Sequence, residues 1–259
     1  MEDCQAVIHI AGAIAGRSAD DFHRVNVAGT ERLLEAIRCL PDPARLIHVS
    51  SLAAREPTLS DYAASKHSAE QRVAASGLEY VIIRPPAVYG PTDPALAPLW
   101  RGLARGWLPQ LGSDEARFSL IHVDDLAEAL LEAVRAPVLH GDIVSPDDLH
   151  PGGYGWADIA RIAEETGGRK VRRLRLPGLL VRAAGQATTL ISRLGLGSPP
   201  VFSAGKAREL LHPNWCCRLH IDTRSGKNDD NSQLTYCPEW RPTMTLRDSL
   251  NDLPGWRQP

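Results

Sequence analysis

The sequence predicts an α/β fold in which helices cover a parallel β-sheet. Short apolar runs of strand length alternate with amphipathic runs of helix length as far as about residue 135. Gly or Pro marks the breaks between them. At 259 residues the chain can form one large domain, or one domain with a small annex, and bury a proper core.

The first strand reads as Ala6-Val7-Ile8-His9-Ile10, ending at Ala11-Gly12. A helix follows from Asn26 to Arg38, with Leu33, Leu34 and Ile37 on its inner face, and stops before Pro41. The run from Arg45 to Val49 is the next strand and ends at the pair Ser50-Ser51. A helix carrying Tyr62 extends to about Ser76, where Gly77 supplies the stop. Tyr80 to Arg84 forms a third strand, broken by Pro85-Pro86. A helix over Leu96–Arg105, a strand over Phe118–His122 and a helix over Val123–Arg135 complete the regular part. Beyond residue 140 the pattern loosens into helices over Trp156–Thr166, Pro177–Leu194 and Ser203–Leu211. The stretch from Cys216 to Cys237, rich in Asp, Asn and Ser, reads as a flexible excursion.

Composition narrows the function classes. A net charge of −2 gives no reason to expect nucleic acid or an acidic membrane as partner. The densest basic run, Arg172-Arg173-Leu174-Arg175, reads as a solvated strand edge or helix approach. Five cysteines with no CxxC spacing read as free thiols in a reducing cytosol, so a cytoplasmic location is expected. No apolar run reaches membrane-span length, and the amino terminus lacks a basic-then-apolar signal pattern. His9 and His48 sit inside apolar strands and read as hydrogen-bonded core histidines, and no metal is expected.

The chemistry is concentrated in Tyr62-Ala63-Ala64-Ser65-Lys66 and the preceding serine pair. Residues four apart on a helix share a face, about one turn from each other. A free tyrosine titrates near pH 10 or so, too high to exchange protons at neutrality. An ammonium one turn away favours the phenolate and lowers that value, as a general acid/base near neutrality requires. A serine hydroxyl from a nearby strand end could hold an alcohol or carbonyl oxygen in line with the phenol. YxxxK alone is a weak pattern.

Its context is stronger. Val7–Gly12 (VIHIAG), Val25–Thr30 (VNVAGT), Val49–Ser51 (VSS), Tyr62–Lys66 (YAASK), Arg84–Pro91 (RPPAVYGP) and His122–Leu130 (HVDDLAEAL) follow one another in order. In that order and context the chain resembles the extended short-chain dehydrogenase/reductase family, of NAD-dependent epimerase/dehydratase type, from residue 4 to about 135. Gly205–Trp215 and Trp240–Leu250 resemble the family's carboxy-terminal, substrate-side helices more weakly. The resemblance implies a Rossmann-like doubly wound parallel sheet over residues 1–140, with a small, mostly helical substrate region over 141–259. It implies NAD or NADP as cofactor and a small-molecule substrate.

It also implies roles. Tyr62 is the general acid/base, and Lys66 lowers its pKa and binds the nicotinamide ribose. Ser51 orients the substrate oxygen, with Ser50 as runner-up because the doubled serine leaves the register open by one. Asn26 supports the Lys66 side of the proton path, or simply caps and bends its helix. Ala11, Gly12, Ser50, Tyr62, Lys66, Pro86, Ala87 and Val88 stand where the family holds its cofactor, while Tyr89 packs. At His122–Asp125 the structural reading is preferred, with Asp124 or Asp125 as helix N-cap. The family's homodimer pairs the YxxxK helix and the one before it; Ala28–Ala36 and Ala63–Ala75 offer small residues for this, though alanine there also fits plain helix propensity.

Departures matter as much. Family members open with a GxxGxxG turn whose backbone and following helix receive the pyrophosphate, and these 259 residues contain no such turn before the first strand. Gly12-Ala13-Ile14-Ala15-Gly16 has the wrong spacing to replace it. The expectation is a sheet truncated at its N-terminal strands, about two βαβ units of roughly 30 residues short, with Ala6–Ile10 an exposed edge. Leu52-Ala53-Ala54 after Ser51 lacks the acidic groups of a dehydratase. Leu96–Leu111 and Pro177–Leu194 are expected to line the substrate side and suggest a partly apolar substrate. The leading expectation is an oxidoreductase or epimerase acting on a secondary alcohol or ketone. The alternative is a non-catalytic remnant or binding module that lost dinucleotide binding. A serine hydrolase is set aside for want of a GxSxG elbow.

Overall fold

The computed structural model describes residues 4–135, 140–195, 199–217, 220–221 and 240–256. Most of the Cys216–Cys237 excursion lies outside the described residues. The first half runs β1 (Ala6–His9), α1 (Ala19–Phe22), α2 (Ala28–Arg38), β2 (Arg45–Val49), α3 (Asp61–Ala74), β3 (Tyr80–Ile83), β4 (Ala87–Tyr89) and α4 (Ala97–Ala104). Then come β5 (Trp107–Leu111), β6 (Arg117–Phe118), β7 (Leu120–His122), α5 (Val123–Arg135), β8 (Ile143–Val144) and α6 (Trp156–Gly167). The chain continues through β9 (Arg172–Leu176), α7 (Gly178–Arg193), α8 (Ala204–Leu210), β10 (Asn214–Trp215), β11 (His220–Ile221) and α9 (Leu246–Ser249).

The main sheet has the order β1-β2-β3-β8-β11. Its first four strands are parallel, and β11 runs antiparallel to β8. Among the described residues β1 is an edge, as expected. Every residue of β2 is buried, the pattern of a strand covered on both faces. Its side chains alternate between two cores. Leu46, with Ile82, packs on Leu34 and Ile37 of α2 and Val73 of α3. Ile47 and Val49, with Val81 and Ile83, pack on Ala129, Leu130 and Ala133 of α5. Helices on both faces make the sheet doubly wound, as predicted.

A third core joins Trp100 and Leu103 of α4 to Ile159 and Ile162 of α6 and to Leu246, Leu250 and Trp256 near the carboxy terminus. The second expected region is therefore woven into the first. β8 belongs to the main sheet, and α4 packs with α6.

Local departures have local causes. The expected Asn26–Arg38 helix starts earlier, at Ala19, where Ser18 and Asp21 form a reciprocal capping box. It passes through a π-helical turn over His23–Val27 before α2. The expected Phe118–His122 strand is split at Ser119, whose hydroxyl donates to Asp147 (2.5 Å) and accepts from the Cys217 amide (3.0 Å). β5 and β9 form a separate parallel pair that the sequence reading did not contain. The run Arg172–Leu176 is indeed an exposed strand edge.

Asp125 corrects its expected role. It lies inside the first turn of α5 and is buried, rather than capping the helix. Its carboxylate accepts from the Thr243 amide (2.9 Å), the Thr243 hydroxyl (2.8 Å) and the Met244 amide (2.9 Å), tying the carboxy-terminal segment to α5. Asp125→Ala removes the buried acceptor that these three donors share and is expected to lower the unfolding free energy by roughly 2–3 kcal/mol. Urea denaturation measures this, and a change within about 0.5 kcal/mol would show that the clamp carries little of the fold.

Candidate functional site

The site lies where β2 and β3 end at their carboxyl edge, the side on which open α/β sheets receive ligands. Ser51 follows β2 in extended conformation, and its hydroxyl accepts from the Ala53 amide (3.2 Å), opening a tight turn over Leu52–Arg55. Ser60 caps α3 by accepting from the Ala63 amide (2.9 Å). This places Tyr62 in the first turn, with Lys66 and Glu70 following at successive four-residue steps on one face.

Each of the three side chains meets the end of β2. The Tyr62 phenol lies beside the Ser51 hydroxyl, which favours the phenolate. Lys66 Nζ donates to the Val49 carbonyl (2.8 Å). Glu70 Oε1 accepts from the Ser50 hydroxyl (2.5 Å), while Arg84, just past β3, grips both Glu70 oxygens (2.8 and 2.6 Å). Ser51 faces the phenol, and the Ser50 side chain is committed to a buried ion pair rather than to the site.

The electrostatics depart from the sequence reading. Burial is the main influence on Tyr62 and lifts it above its ordinary value; Glu209 adds to this, and the Ser51 hydroxyl opposes it. Lys66 does not pull the phenol down as expected. Its own pKa is lowered to about 8 by burial, against the pull of Glu70. Burial and the Lys66 ammonium also depress His9 and bring His48 down to about 3. His9 is hydrogen-bonded to Thr30 (3.2 Å), as expected of a core histidine. His48 differs, since neither buried ring nitrogen has a hydrogen-bond partner.

Asn26 ties the strand-end loop to α3. Its amide group donates to the Ala13 carbonyl (3.1 Å) and the Ser65 hydroxyl (2.9 Å), and its oxygen accepts from the Ala13 amide (2.7 Å). The Ala28 amide reaches back five residues to the His23 carbonyl, and Thr30 donates to the Asn26 carbonyl (2.7 Å). The bend is therefore a π-turn, a form common at functional sites. Ala11 and Gly12 lie exposed beside this bridge. A Cβ on Gly12 would stand 3.2 Å from Asn26 Oδ1 and 3.6 Å from Lys66 Nζ.

Two cavities meet here. A polar one of about 520 Å³ has Tyr62, Ser60, Thr189, Arg193 and Ser203 in its wall. An apolar one of about 240 Å³ is walled by Leu52, Leu99, Trp100, Phe118 and Trp156. Ser51, Ala53, Pro86, Lys206 and Glu209 line both. Ala87 lines the apolar cavity, whereas Val88 packs against the α5-side core. Tyr89 is fully buried in the third core, packed as expected. Leu96, Leu99, Trp100 and Leu111 line the apolar cavity, matching the expectation for that stretch. The Pro177–Leu194 helix differs, because it offers Gln186, Thr189, Ser192 and Arg193 to the polar cavity.

Glu209 and Lys206 of α8 were not singled out in the sequence. Buried Glu209 accepts from the Ser60 hydroxyl and pairs with Lys206 (2.9 Å), and its carbonyl accepts from Trp215 Nε1 (2.8 Å). The only signal was the stretch Gly205–Trp215, because a contact across some 150 positions leaves no local periodicity.

Known proteins share this fold. A family model described as the NAD dependent epimerase/dehydratase family matches residues 1–145. The chain is 43% identical over 211 residues to ceramide reductase of Caulobacter vibrioides, covering 82% of this chain. It spans 65% of that relative's length. UDP-glucuronic acid 4-epimerase from Bacillus cereus, solved with NAD, superposes with a TM-score of 0.62 at 18% identity, over 98% of this chain and 76% of that one. A human epimerase family protein solved with NADPH gives 0.60 at 20% identity, over 82% and 83%. At these identities the two structures show the shared Rossmann-type fold.

His48 generates a pH prediction. Its folded pKa of about 3 lies below the value of 6.5 for an exposed histidine, so the unfolded chain binds the extra proton first. The resulting stability is present above pH 6.5 and is lost as pH falls toward 3, at about 1.4 kcal/mol per pH unit. Between pH 6.5 and 5 the parent should therefore lose about 2 kcal/mol more than His48→Phe in urea unfolding. Parallel losses in the two proteins would place the acid sensitivity elsewhere.

Proposed function

Because the chain belongs to the NAD-dependent epimerase/dehydratase family, we propose that it acts as an NAD(P)H-dependent reductase of a ketone that carries an apolar chain. The observation that carries this reading is that Ser51 and Tyr62 line the same polar cavity and that Ser51 also lines the adjoining apolar one. A carbonyl set against the two hydroxyls has an apolar space beside it. The relative named ceramide reductase supports the choice of reduction and of a lipid-like substrate.

Bound NAD(P)H supplies the hydride. Ser51 holds the carbonyl oxygen by donating to it, and Tyr62 gives its proton to that oxygen as the carbon accepts the hydride. A phenol kept above its ordinary pKa is fully protonated at neutral pH, which is the form reduction consumes. The developing alkoxide is far more basic than a phenolate, so proton transfer remains downhill. Lys66 spends one of its three N–H groups on Val49, leaving two for ribose hydroxyls.

The residues present fit the nicotinamide end of the cofactor. Gly12 keeps the space beside Lys66 and Asn26 free of a side chain, and Pro86 lines both cavities. The alternative reading is a module that does not hold dinucleotide. Titration of the chain with NADH and NADPH separates the two. Micromolar binding supports the reductase, and no detectable binding supports the module. We also propose pairing of two copies through α2 and α3. Ala63 and Ala69 are already buried within their own chain, so the free faces of those helices would make the contact.

Tyr62→Phe should lower kcat for ketone reduction by about 10²- to 10⁴-fold while leaving NAD(P)H affinity within about twofold. Steady-state rates with a long-chain ketone, paired with a fluorescence titration of the nucleotide, read both quantities. Undiminished turnover would overturn the assignment of the acid.

A further inference from the structure

Helix α7 is built inside out. At about 100° per residue, Leu179, Leu180, Ala183, Ala184, Ala187, Leu190, Ile191 and Leu194 fall within an arc of roughly 140°. Every one of them is exposed, Leu179 at 79%, Leu194 at 68% and Leu190 at 61%. The opposite face, which packs against the molecule, carries Val181, Gly185, Thr188, Thr189 and Ser192. Thr188 and Thr189 both donate to the Gly185 carbonyl, and Thr188 also donates to Phe202. Gly185 lets α8 approach closely, since a Cβ there would lie 2.8 Å from Ala207 Cβ. A helix that packs through glycine and threonine while showing leucine to the outside has its apolar stripe committed to something beyond the fold.

Charge identifies the partner. From Arg169 to Arg193 the sequence has seven basic residues (Arg169, Lys170, Arg172, Arg173, Arg175, Arg182, Arg193) and no acidic one. Arg182 and Arg193 sit along one flank of the leucine face, and among the described residues neither makes an ion pair. The exposed strand β9, with Leu174 and Leu176 also exposed, leads directly into the helix. The chain's net charge of −2 conceals this segregation. Apolar side chains on one face with arginines at its border are the features of a helix lying in a lipid–water interface. No helix among the described residues is long and apolar enough to cross a membrane, so the association would be peripheral.

We propose that α7 docks this protein onto an anionic bilayer surface, its leucines in the acyl region and its arginines at the headgroups. The helix also forms part of the polar cavity wall through Gln186, Thr189, Ser192 and Arg193. Docking therefore sets the polar cavity directly behind the docked helix, close to the membrane in which a substrate with an apolar chain resides. The last step rests on the reductase reading above, whereas the docking rests on the helix alone.

Vesicle flotation with the full chain tests the docking without nucleotide or turnover. Vesicles of phosphatidylcholine with about one third phosphatidylglycerol should carry the protein, and pure phosphatidylcholine should bind it at least tenfold more weakly. Leu179→Glu with Leu190→Glu, neither in a cavity wall, should abolish flotation with the urea midpoint unchanged. Arg182→Gln should weaken it several-fold and flatten its salt dependence. Absence of flotation by the parent chain overturns the proposal. So does a concentration-dependent dimer in sedimentation velocity that the leucine pair of substitutions dissociates, because a second copy would then cover the face. Failure of ketone reduction with flotation intact would count only against the reductase reading.

Discussion

One helix rotation governs the geometry of this protein. Tyr62, Lys66 and Glu70 lie four residues apart on α3; Lys66 and Glu70 hydrogen-bond to the end of β2 and the residue just past it, and Tyr62 lies beside Ser51. Glu70 does the anchoring. Its carboxylate holds Ser50 after β2 and Arg84 after β3, so it locks the helix against two neighbouring strands at once. A buried ion pair of this kind adds little net stability over an apolar contact of equal volume. Its value here is directional, because hydrogen bonds fix an angle that packing of small side chains leaves loose. With Glu70 seated, Ser51 and Tyr62 come into register. A rotation of α3 by one residue would move the phenol by about 100°.

The same constraint sets the electrostatics. A lysine directed at a strand carbonyl and surrounded by core has a lowered pKa, and burial, with this lysine adding to it, suppresses the charge of the two histidines on β1 and β2. The tyrosine is governed by its burial and by Glu209, which arrives from α8. The arrangement is a protonated acid beside a cationic hydrogen-bond donor, with neutral imidazoles behind. The Lys206–Glu209 pair adds charge at the wall shared by the two cavities, and Ser51 lies in that same wall.

Much of this was readable in the chain. Strand and helix periodicity placed β2, α3 and α5 within a residue or two, since each is long enough to show its period and is bounded by Pro, Gly or a cap. The four-residue spacing of Tyr62 and Lys66 was legible because helical neighbours are near in sequence. The pair Ser50-Ser51 was not separable, because two adjacent serines at a strand end differ only in which way the backbone turns each. β5 and β9 escaped notice because their pairing joins segments more than 60 positions apart, and Arg172–Leu176 carries no burial signal. Asp125 read as a cap because its partners, Thr243 and Met244, come from the far end of the chain.

The sequence by itself determined the parallel α/β class, the family resemblance and the spacing that sets Tyr62 and Lys66 on one helix face. Those properties follow from local periodicity and from residue types at short spacing. Only the tertiary structure decided which serine meets the phenol, which way its pKa moves, that Glu209 adjoins it, and that the leucines of α7 face outward. These are consequences of burial and of contacts between distant segments. Solvent exclusion and long-range contact arise only when the whole chain is packed, and no window of neighbouring residues contains them.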